Sequence, residues 1–241
     1  MSSRWPKELS RKLAHFKHFR QFLGAGLDLV FPQKCILCKR IGEDAIHKGL
    51  CPSCRAEIFQ PCFVPYAGPD HSTLSAIAAG RFQGPLRELI VNVKFKADPF
   101  PLPSLHRLLD QLYDLHKSRI PFDCVTTVPA QKERLSDRGV DLPALLARKF
   151  ARRLRRSFEP GLILRTKATT SQTEKSRKAR FENLLTAFRA NRTCERRSIL
   201  VVDDVITTGA TASTISKELL RSGAKTVSWM TLAYTPLSNK T

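Results

Sequence analysis

The stretch from Ile199 to Thr211 combines the residue types that a phosphorylated ligand requires. An apolar run ends in two adjacent carboxylates, Asp203 and Asp204, and a short loop of threonine and glycine follows. The loop opens into a helical pattern, whose N-terminus offers unpaired backbone N–H groups and the positive end of a helix dipole. We expect a phosphate to bind the loop residues Thr207, Thr208, Gly209, Ala210 and Thr211. The two carboxylates suit sugar hydroxyls or a bound Mg²⁺.

A helix cap followed by a solvated turn is the simpler interpretation of the two acids. Three threonines beside the acids favour a binding site instead. The chain has neither a G-x-x-x-x-G-K-[ST] loop nor a G-x-G-x-x-G fingerprint. This disfavours a nucleoside triphosphatase and a dinucleotide-dependent enzyme.

Four of the seven cysteines form two Cys-x-x-Cys pairs separated by twelve residues: Cys35, Cys38, Cys51 and Cys54. This spacing lets four thiolates converge on one Zn²⁺, and a site with four protein ligands is structural because it leaves no open position. The alternatives are four free thiols or two disulfides. An odd cysteine count and the lack of a cleavable secretory signal favour zinc and a reducing, cytoplasmic location. Cys62, Cys124 and Cys194 are isolated, and we assign them no function.

The formal net charge of +20 favours a polyanionic partner, such as nucleic acid, an anionic membrane surface or a phosphorylated metabolite. Half of this charge, a net +10, falls within residues 148–180. The candidate nucleic-acid-binding residues there are Arg152, Arg153, Arg155, Arg156, Lys175, Arg177 and Lys178. A mobile, solvated surface is the alternative for these side chains. No apolar run reaches the ~18 residues of a membrane-spanning helix, so an integral membrane protein is excluded.

The pattern of apolar residues predicts an α/β domain over residues 74–236. Alternation of β-branched strands with amphipathic helices makes right-handed βαβ units and a parallel sheet. The predicted strands cover 123–128, 162–165, 198–202 and 226–233. The predicted helices cover 84–96, 104–117, 141–156 and 211–222, and Asp141 is the expected N-cap of the third.

Two segments precede this domain. Residues 31–65 are short, turn-rich and predicted to be a zinc ribbon, and 66–75 resemble a linker. Residues 1–30 predict a basic amphipathic helix, which we expect to pack on the zinc module. A helix at a membrane surface, a helix that contacts DNA and a targeting segment are the alternatives.

The stretch from Ile199 to Thr211 resembles the signature for 5-phosphoribosyl-1-pyrophosphate (PRPP) in type I phosphoribosyltransferases. Together with the cysteine pairs, it makes the chain resemble the competence protein ComF family over roughly residues 30–235. Further matching pieces are Phe82-Gln83-Gly84-Pro85-Leu86-Arg87-Glu88-Leu89-Ile90, Lys94, Val128-Pro129, Arg134, Arg138-Gly139, Arg165, Gln172, Arg180, Asn183 and Phe188.

The resemblance implies a type I phosphoribosyltransferase fold behind the zinc ribbon, and binding of PRPP with Mg²⁺. It implies that Asp203 and Asp204 are catalytic, and that Arg134 and Arg138 hold the pyrophosphate. Family members usually read Arg-Gly-Phe-Asn-Gln where this chain has Val140, Asp141 and Leu142 after Arg138-Gly139. Many also carry a second pair of zinc knuckles, of which only Cys62 remains here, so we predict one zinc ion.

Two hypotheses for the function follow. In the first, the protein is a Mg²⁺-dependent phosphoribosyltransferase with an unknown acceptor, linked to DNA uptake and competence. In the second, it is a non-catalytic competence protein that binds single-stranded DNA, works with the DNA-uptake machinery, and uses PRPP only as a ligand or keeps only the fold. The basic helix is compatible with peripheral membrane contact in both.

Overall fold

A computed structural model describes six parts of the chain. They are residues 34–41, 49–67, 73–130, 140–166, 187–191 and 194–236. The predicted N-terminal helix and residues 167–180 of the basic segment 148–180 lie outside these ranges. Among the helices that the structure describes, none combines the length and apolar character needed to cross a bilayer.

A six-stranded sheet forms the centre of the protein, with the strand order β1-β2-β8-β7-β3-β4. Five strands run parallel, and β1 pairs antiparallel with β2 at one edge. A separate antiparallel pair is formed by β5 and β6. The strands are β1 (Cys62–Ala67), β2 (Thr73–Arg81), β3 (Cys124–Thr127), β4 (Ser157–Phe158), β5 (Ile163–Arg165), β6 (Phe188–Ala190), β7 (Ser198–Ile206) and β8 (Thr226–Tyr234).

Five helices accompany the sheet in the described ranges. They are α1 (Pro52–Ile58), α2 (Gly84–Phe95), α3 (Leu102–His116), α4 (Leu142–Arg153) and α5 (Ala210–Arg221). A proline in the first turn starts each of α1 to α4, where its missing N–H costs no hydrogen bond. The predicted N-cap of α4 is confirmed, since the Asp141 carboxylate accepts a hydrogen bond from the Ala144 N–H at 3.1 Å.

Two apolar clusters cover the two faces of the sheet. Successive residues of β7 alternate between them: Leu200 and Val202 face one, Ile199 and Val201 the other. Helices α1 to α4 contribute to the first cluster, and α5 with β6 contributes to the second. Cys35 and Cys54 belong to the first cluster, so the cysteine pairs are part of the main core.

Two features of the sheet differ from the sequence interpretation. First, β7 continues to Ile206 rather than ending at Val202, because Asp203 and Val205 pair with Thr231 and Ala233 of β8. The acids therefore lie in the last part of the strand rather than after it. Second, the ends of the expected linker belong to β1 and β2, whose pairing the apolar pattern did not predict.

Gly80 of β2 offers a test of the contact between the ribbon helix and the sheet. A Cβ at Gly80 would lie 2.5 Å from the Ile58 carbonyl oxygen, whereas a Cβ at Gly161 would meet nothing within 4 Å. We expect Gly80→Ala to lower the free energy of unfolding by about 1–3 kcal/mol, the usual cost of overpacking. Urea unfolding measures this, with Gly161→Ala as the matched control. Equal stability of the two variants would contradict the contact.

Candidate phosphate site and zinc centre

The two acids at the carboxyl end of β7 have different environments. The Asp204 side chain is buried, and one of its oxygens lies 2.7 Å from the Lys94 Nζ. Asp203 is partly exposed, and its carboxylate accepts a hydrogen bond from the Asp204 N–H at 2.8 Å. The Lys94 ion pair offsets the cost of burying Asp204. Asp203 is the acid that remains accessible to a ligand.

Lys94 lies in the last turn of α2. It belongs to the residues that resemble the ComF family, but nothing in the sequence indicates that it contacts Asp204. The ion pair joins α2 to the carboxyl end of β7. Asp141 is close enough to this ion pair for its charges to act on it. Desolvation raises the pKa of Asp141, the negative charge of Asp204 adds to the shift, and Lys94 opposes it. The N-terminus of α4 therefore also meets this edge of the sheet.

The carboxyl of Asp203 resists ionisation. Desolvation and then the negative charge of Asp204 raise its pKa from 3.8 to about 8, although the Asp204 N–H and Lys94 oppose the shift. A second negative charge beside Asp204 is unfavourable in a poorly hydrated site. Donors from a ligand, such as sugar hydroxyls or a cation, would favour the ionised form.

The loop between β7 and α5 is shaped by Gly209. Its φ of +74° lies in the left-handed region that favours glycine, and it forms the N-cap of α5. A Cβ at this position would lie 2.5 Å from the Cβ of Tyr66. Thr207 and Thr208 are exposed, while Ala210 and Thr211 are partly exposed. The loop thus turns its polar groups outward while its glycine packs against β1.

Tyr66 supports this loop, and the sequence analysis did not predict that role. The tyrosine is buried, and its hydroxyl lies 3.3 Å from the Ser216 Oγ of α5, 150 residues away in the chain. The same Oγ accepts a hydrogen bond from the Trp229 indole N–H at 2.9 Å. Desolvation raises the pKa of Tyr66 to about 12, so the hydroxyl stays neutral. Tyr66 therefore holds the first turns of α5 against β1.

The remaining predicted site residues divide into three groups. Arg134, Arg138, Lys175, Arg177 and Lys178 lie outside the described residues. Arg153 forms ion pairs with Asp110 at 3.0 Å and Asp114 at 2.9 Å on α3. Three arginines remain exposed near the C-terminus of α4: Arg152, Arg155 and Arg156.

The four cysteines of the two pairs converge. The sulfurs of Cys35, Cys38, Cys51 and Cys54 lie within 4.8 Å of one another, and the Cys38 and Cys51 sulfurs are 3.7 Å apart. Tetrahedral zinc with bonds of about 2.3 Å separates its sulfurs by roughly 3.8 Å, so the donor set fits Zn²⁺. Cys62 lies apart from them in β1. The described residues hold one such group.

Local backbone groups favour the thiolate of Cys35, whereas burial and then the neighbouring thiols raise the pKa of Cys54 in the absence of a metal. Burial disfavours the Cys35 thiolate, but the N–H groups of Cys51, Cys38 and Leu37 outweigh it and lower the pKa of Cys35 to about 6. A low pKa supplies the thiolate that zinc requires. The second pair begins a helix, because Cys51 is the N-cap of α1 and Cys54 lies in its first turn.

Comparisons with known proteins agree with this arrangement. Residues 26–64 match the family model of the double zinc ribbon domain. DNA utilization protein YhgH of Shigella flexneri is 32% identical over 220 residues, covering 83% of this chain and 96% of that protein. Competence protein F of Haemophilus influenzae is 30% identical over 223 residues, covering 82% and 95%. The chain belongs to the ComF family.

Solved structures with a similar arrangement include an adenine phosphoribosyltransferase from Thermoanaerobacter pseudethanolicus. It is 12% identical, with a TM-score of 0.39, over 76% of this chain and 98% of that one. The predicted fold class is confirmed for this ComF-family protein. It has a mostly parallel sheet flanked by helices, with an N-terminal zinc ribbon.

The cysteine cluster predicts the metal content of the ComF-family protein. We expect one zinc per chain in the wild type and little zinc in Cys54→Ser, because the variant lacks one of the four ligands. The thermal midpoint of Cys54→Ser should also be lower, because Cys54 belongs to the main core. Elemental analysis and thermal unfolding measure both effects. Cys62→Ser is the control and keeps its zinc. Full zinc content in Cys54→Ser would contradict the assignment.

The raised pKa of Asp203 predicts a pH dependence. The folded state retains a proton that the unfolded state releases near pH 3.8, so the free energy of unfolding should fall as pH rises from 3.8 to about 8. Asp203→Asn should remove this slope. Urea unfolding at a series of pH values measures it, with exposed Glu88→Gln as the control. An unchanged slope in Asp203→Asn would contradict the prediction.

Proposed function

We propose that this ComF-family protein binds PRPP with Mg²⁺ at the carboxyl end of β7 and transfers the phosphoribosyl group to an acceptor. The observation that carries the proposal is the loop at Gly209, which joins two acids in β7 to the N-terminus of α5. In an open α/β sheet, ligands bind beyond the carboxyl ends of the strands. The signature quoted above for Ile199 to Thr211 supports PRPP among phosphorylated ligands.

Each part of the loop has a separate role in the proposal. Thr207 to Thr211 hold the 5-phosphate through their hydroxyls and through the first N–H groups of α5. Asp203, the accessible acid, accepts hydrogen bonds from the ribose hydroxyls, and the ion pair with Lys94 orients the buried Asp204 beside it. Arg134 and Arg138 are assigned to the pyrophosphate from the family resemblance.

The reaction breaks the bond between the ribose anomeric carbon and a pyrophosphate oxygen. An acceptor atom forms the new bond to that carbon and passes its proton to solvent, and pyrophosphate leaves with the electron pair. Bound Mg²⁺ would neutralise charge on the pyrophosphate. The residues of the protein position the ribose and stabilise charge, so no protein nucleophile is required.

We place this activity in the handling of DNA within the cytoplasm. The names of the relatives, a DNA utilization protein and a competence protein, support this role. The four-cysteine zinc centre supports a reducing compartment. The acceptor is a component of that process or a small molecule linked to it.

Calorimetric titration of PRPP in the presence of Mg²⁺ tests the binding step. Wild type should bind one PRPP per chain, and Asp203→Asn/Asp204→Asn should lose most of the heat, because neutral amides replace the carboxylate acceptors and Lys94 loses its partner. Glu57→Gln/Glu88→Gln is the control, since both carboxylates are exposed and receive the same amide substitution. No binding by folded, zinc-loaded wild type would refute the proposal.

Release of pyrophosphate tests the transfer step. Wild type should release pyrophosphate from PRPP when the correct member of a panel of bases, nucleosides and DNA is added. The double variant should not. Saturable PRPP binding without release by any acceptor would leave the second hypothesis, a protein that uses PRPP only as a ligand.

A further inference from the structure

The edge of the sheet opposite the phosphate loop carries a group of cations. The parallel strands β4, β7 and β8 begin there side by side with β3, since Cys124 is in register with Ser157 and Ile199, and Ser198 with Thr226. Basic residues directly precede three of these strands. We call the exposed ones the amino-edge cluster: Arg155, Arg156, Arg196 and Lys225.

Within the described part of the chain, none of these four cations makes an ion pair. Their neighbour Arg197 differs, because its guanidinium forms a bidentate pair with Glu159. Strands lie about 4.8 Å apart, so the cluster spans roughly 14 Å from β4 to β8. Two exposed acids lie at the same edge, Asp123 before β3 and Glu195 before β7, and the Asp123 carboxylate accepts a hydrogen bond from the Ser198 N–H.

Arg155 occupies a position at which glycine is preferred. Helix α4 ends with hydrogen bonds from Arg155 N–H to Arg152 C=O and from Arg156 N–H to Ala151 C=O, and Arg155 has a φ of +53°. This is the Schellman motif, whose left-handed residue is usually glycine. Helix α5 ends with the same pair of hydrogen bonds, and there the left-handed residue is Gly223.

Arg196 repeats this unusual choice in the next connection. The turn Cys194–Arg197 is closed by a hydrogen bond from the Arg197 N–H to the Cys194 C=O at 3.0 Å. Arg196 is its third residue and has a φ of +53°, where glycine or asparagine is favoured. Lys39 and Ala97 also have a positive φ, but Arg155 and Arg196 lie at one edge of the sheet, where such backbone positions suggest a function for the side chains.

We propose that the amino-edge cluster binds the phosphodiester backbone of a nucleic acid. Arginine offers a planar fork of donors that matches phosphate oxygens, and three of the four cations are arginines. None of the exposed large apolar side chains of the described residues lies in these connections, so the anchors of a membrane-binding surface are lacking. A row of cations without exposed apolar neighbours suits the negatively charged backbone of a nucleic acid.

This surface extends the sequence interpretation in a specific way. Arg155 and Arg156 were among the candidate nucleic-acid-binding residues, but Arg196 and Lys225 were not. Arg153, by contrast, is already paired with acids on α3. The cluster lies at the opposite ends of the strands from Asp203 and Gly209, so nucleic acid and PRPP would occupy separate sites. The inference therefore does not depend on the proposed PRPP binding.

Substitution by glycine separates a role in binding from a role in structure. Arg155→Gly/Arg196→Gly removes two charges at positions where glycine relieves the backbone, as Gly223 already does in α5. We expect the thermal midpoint to stay equal or rise while binding of a 30-nucleotide single strand weakens. The slope of log K against log [salt] should become less negative by about 1.4, or ~0.7 for each lost phosphate contact.

The matched control is Arg87→Ala/Lys96→Ala, which removes two exposed charges from α2 and its C-cap. A second test variant, Arg156→Ala/Lys225→Ala, changes two cluster residues with ordinary backbone angles. Fluorescence anisotropy with a single strand, a duplex of equal length and vesicles containing anionic phospholipid compares the ligands. PRPP titration of each variant should remain unchanged.

Weaker binding of either nucleic acid by both cluster variants, but not by the control, supports the proposal. The ratio of the affinities for the single strand and the duplex identifies which of the two nucleic acids the cluster binds. Equal loss in the control would show that only net charge matters and would overturn the proposal. Binding to vesicles without binding to nucleic acid, or a glycine variant that is destabilised with unchanged affinity, would also overturn it.

Discussion

Strand β7 and its hydrogen bonds to β3 and β8 are the constraint on which the rest of the structure depends. It pairs with β8 from Ser198 to Ile206 and with β3 from Ile199 to Val202, and the interior of the strand is buried. The register places Asp203 and Asp204 at the carboxyl end and Arg196 with Arg197 before the amino end. A shift of one residue would exchange the two faces of the strand and bury the wrong side chains. Both candidate sites are therefore defined by the pairing of one central strand.

The zinc ribbon is tied to the phosphate loop through the chain that joins them. Cys54 lies in α1, the Gln60 N–H donates to the Ala79 C=O of β2, and β1 then brings Tyr66 beneath Gly209. Since Cys35, Cys54 and Ile58 share the core of α2 and α3, the ribbon is packed as part of the domain. The metal centre therefore supports the phosphate loop through the packed chain between them, although the two do not touch.

The carboxyl edge combines opposite charges in a small space. Lys94 pairs with Asp204, while Asp141 caps α4 beside them. Such a site disfavours a second negative charge without a ligand, because desolvation and then the charge of Asp204 raise the pKa of Asp203. A ligand rich in hydroxyl donors would replace the missing hydration. The amino edge has the reverse character, with more exposed cations than exposed acids.

Features that depend on neighbouring residues could be predicted from the sequence. They are the acids and threonines of the loop, the two cysteine pairs, the N-cap at Asp141, helices α2 to α5 and strands β3, β5, β7 and β8, which are patterns within a few residues or one helical period. The contacts of Lys94 with Asp204 and of Tyr66 with Gly209, and the position of Arg155 and Arg196 along one edge, appear only in the folded structure. These pairs join segments far apart in the chain, and strand order and register bring them together. The left-handed backbone angles of the two arginines could not be predicted from the sequence either, because arginine rarely adopts a conformation that is typical of glycine.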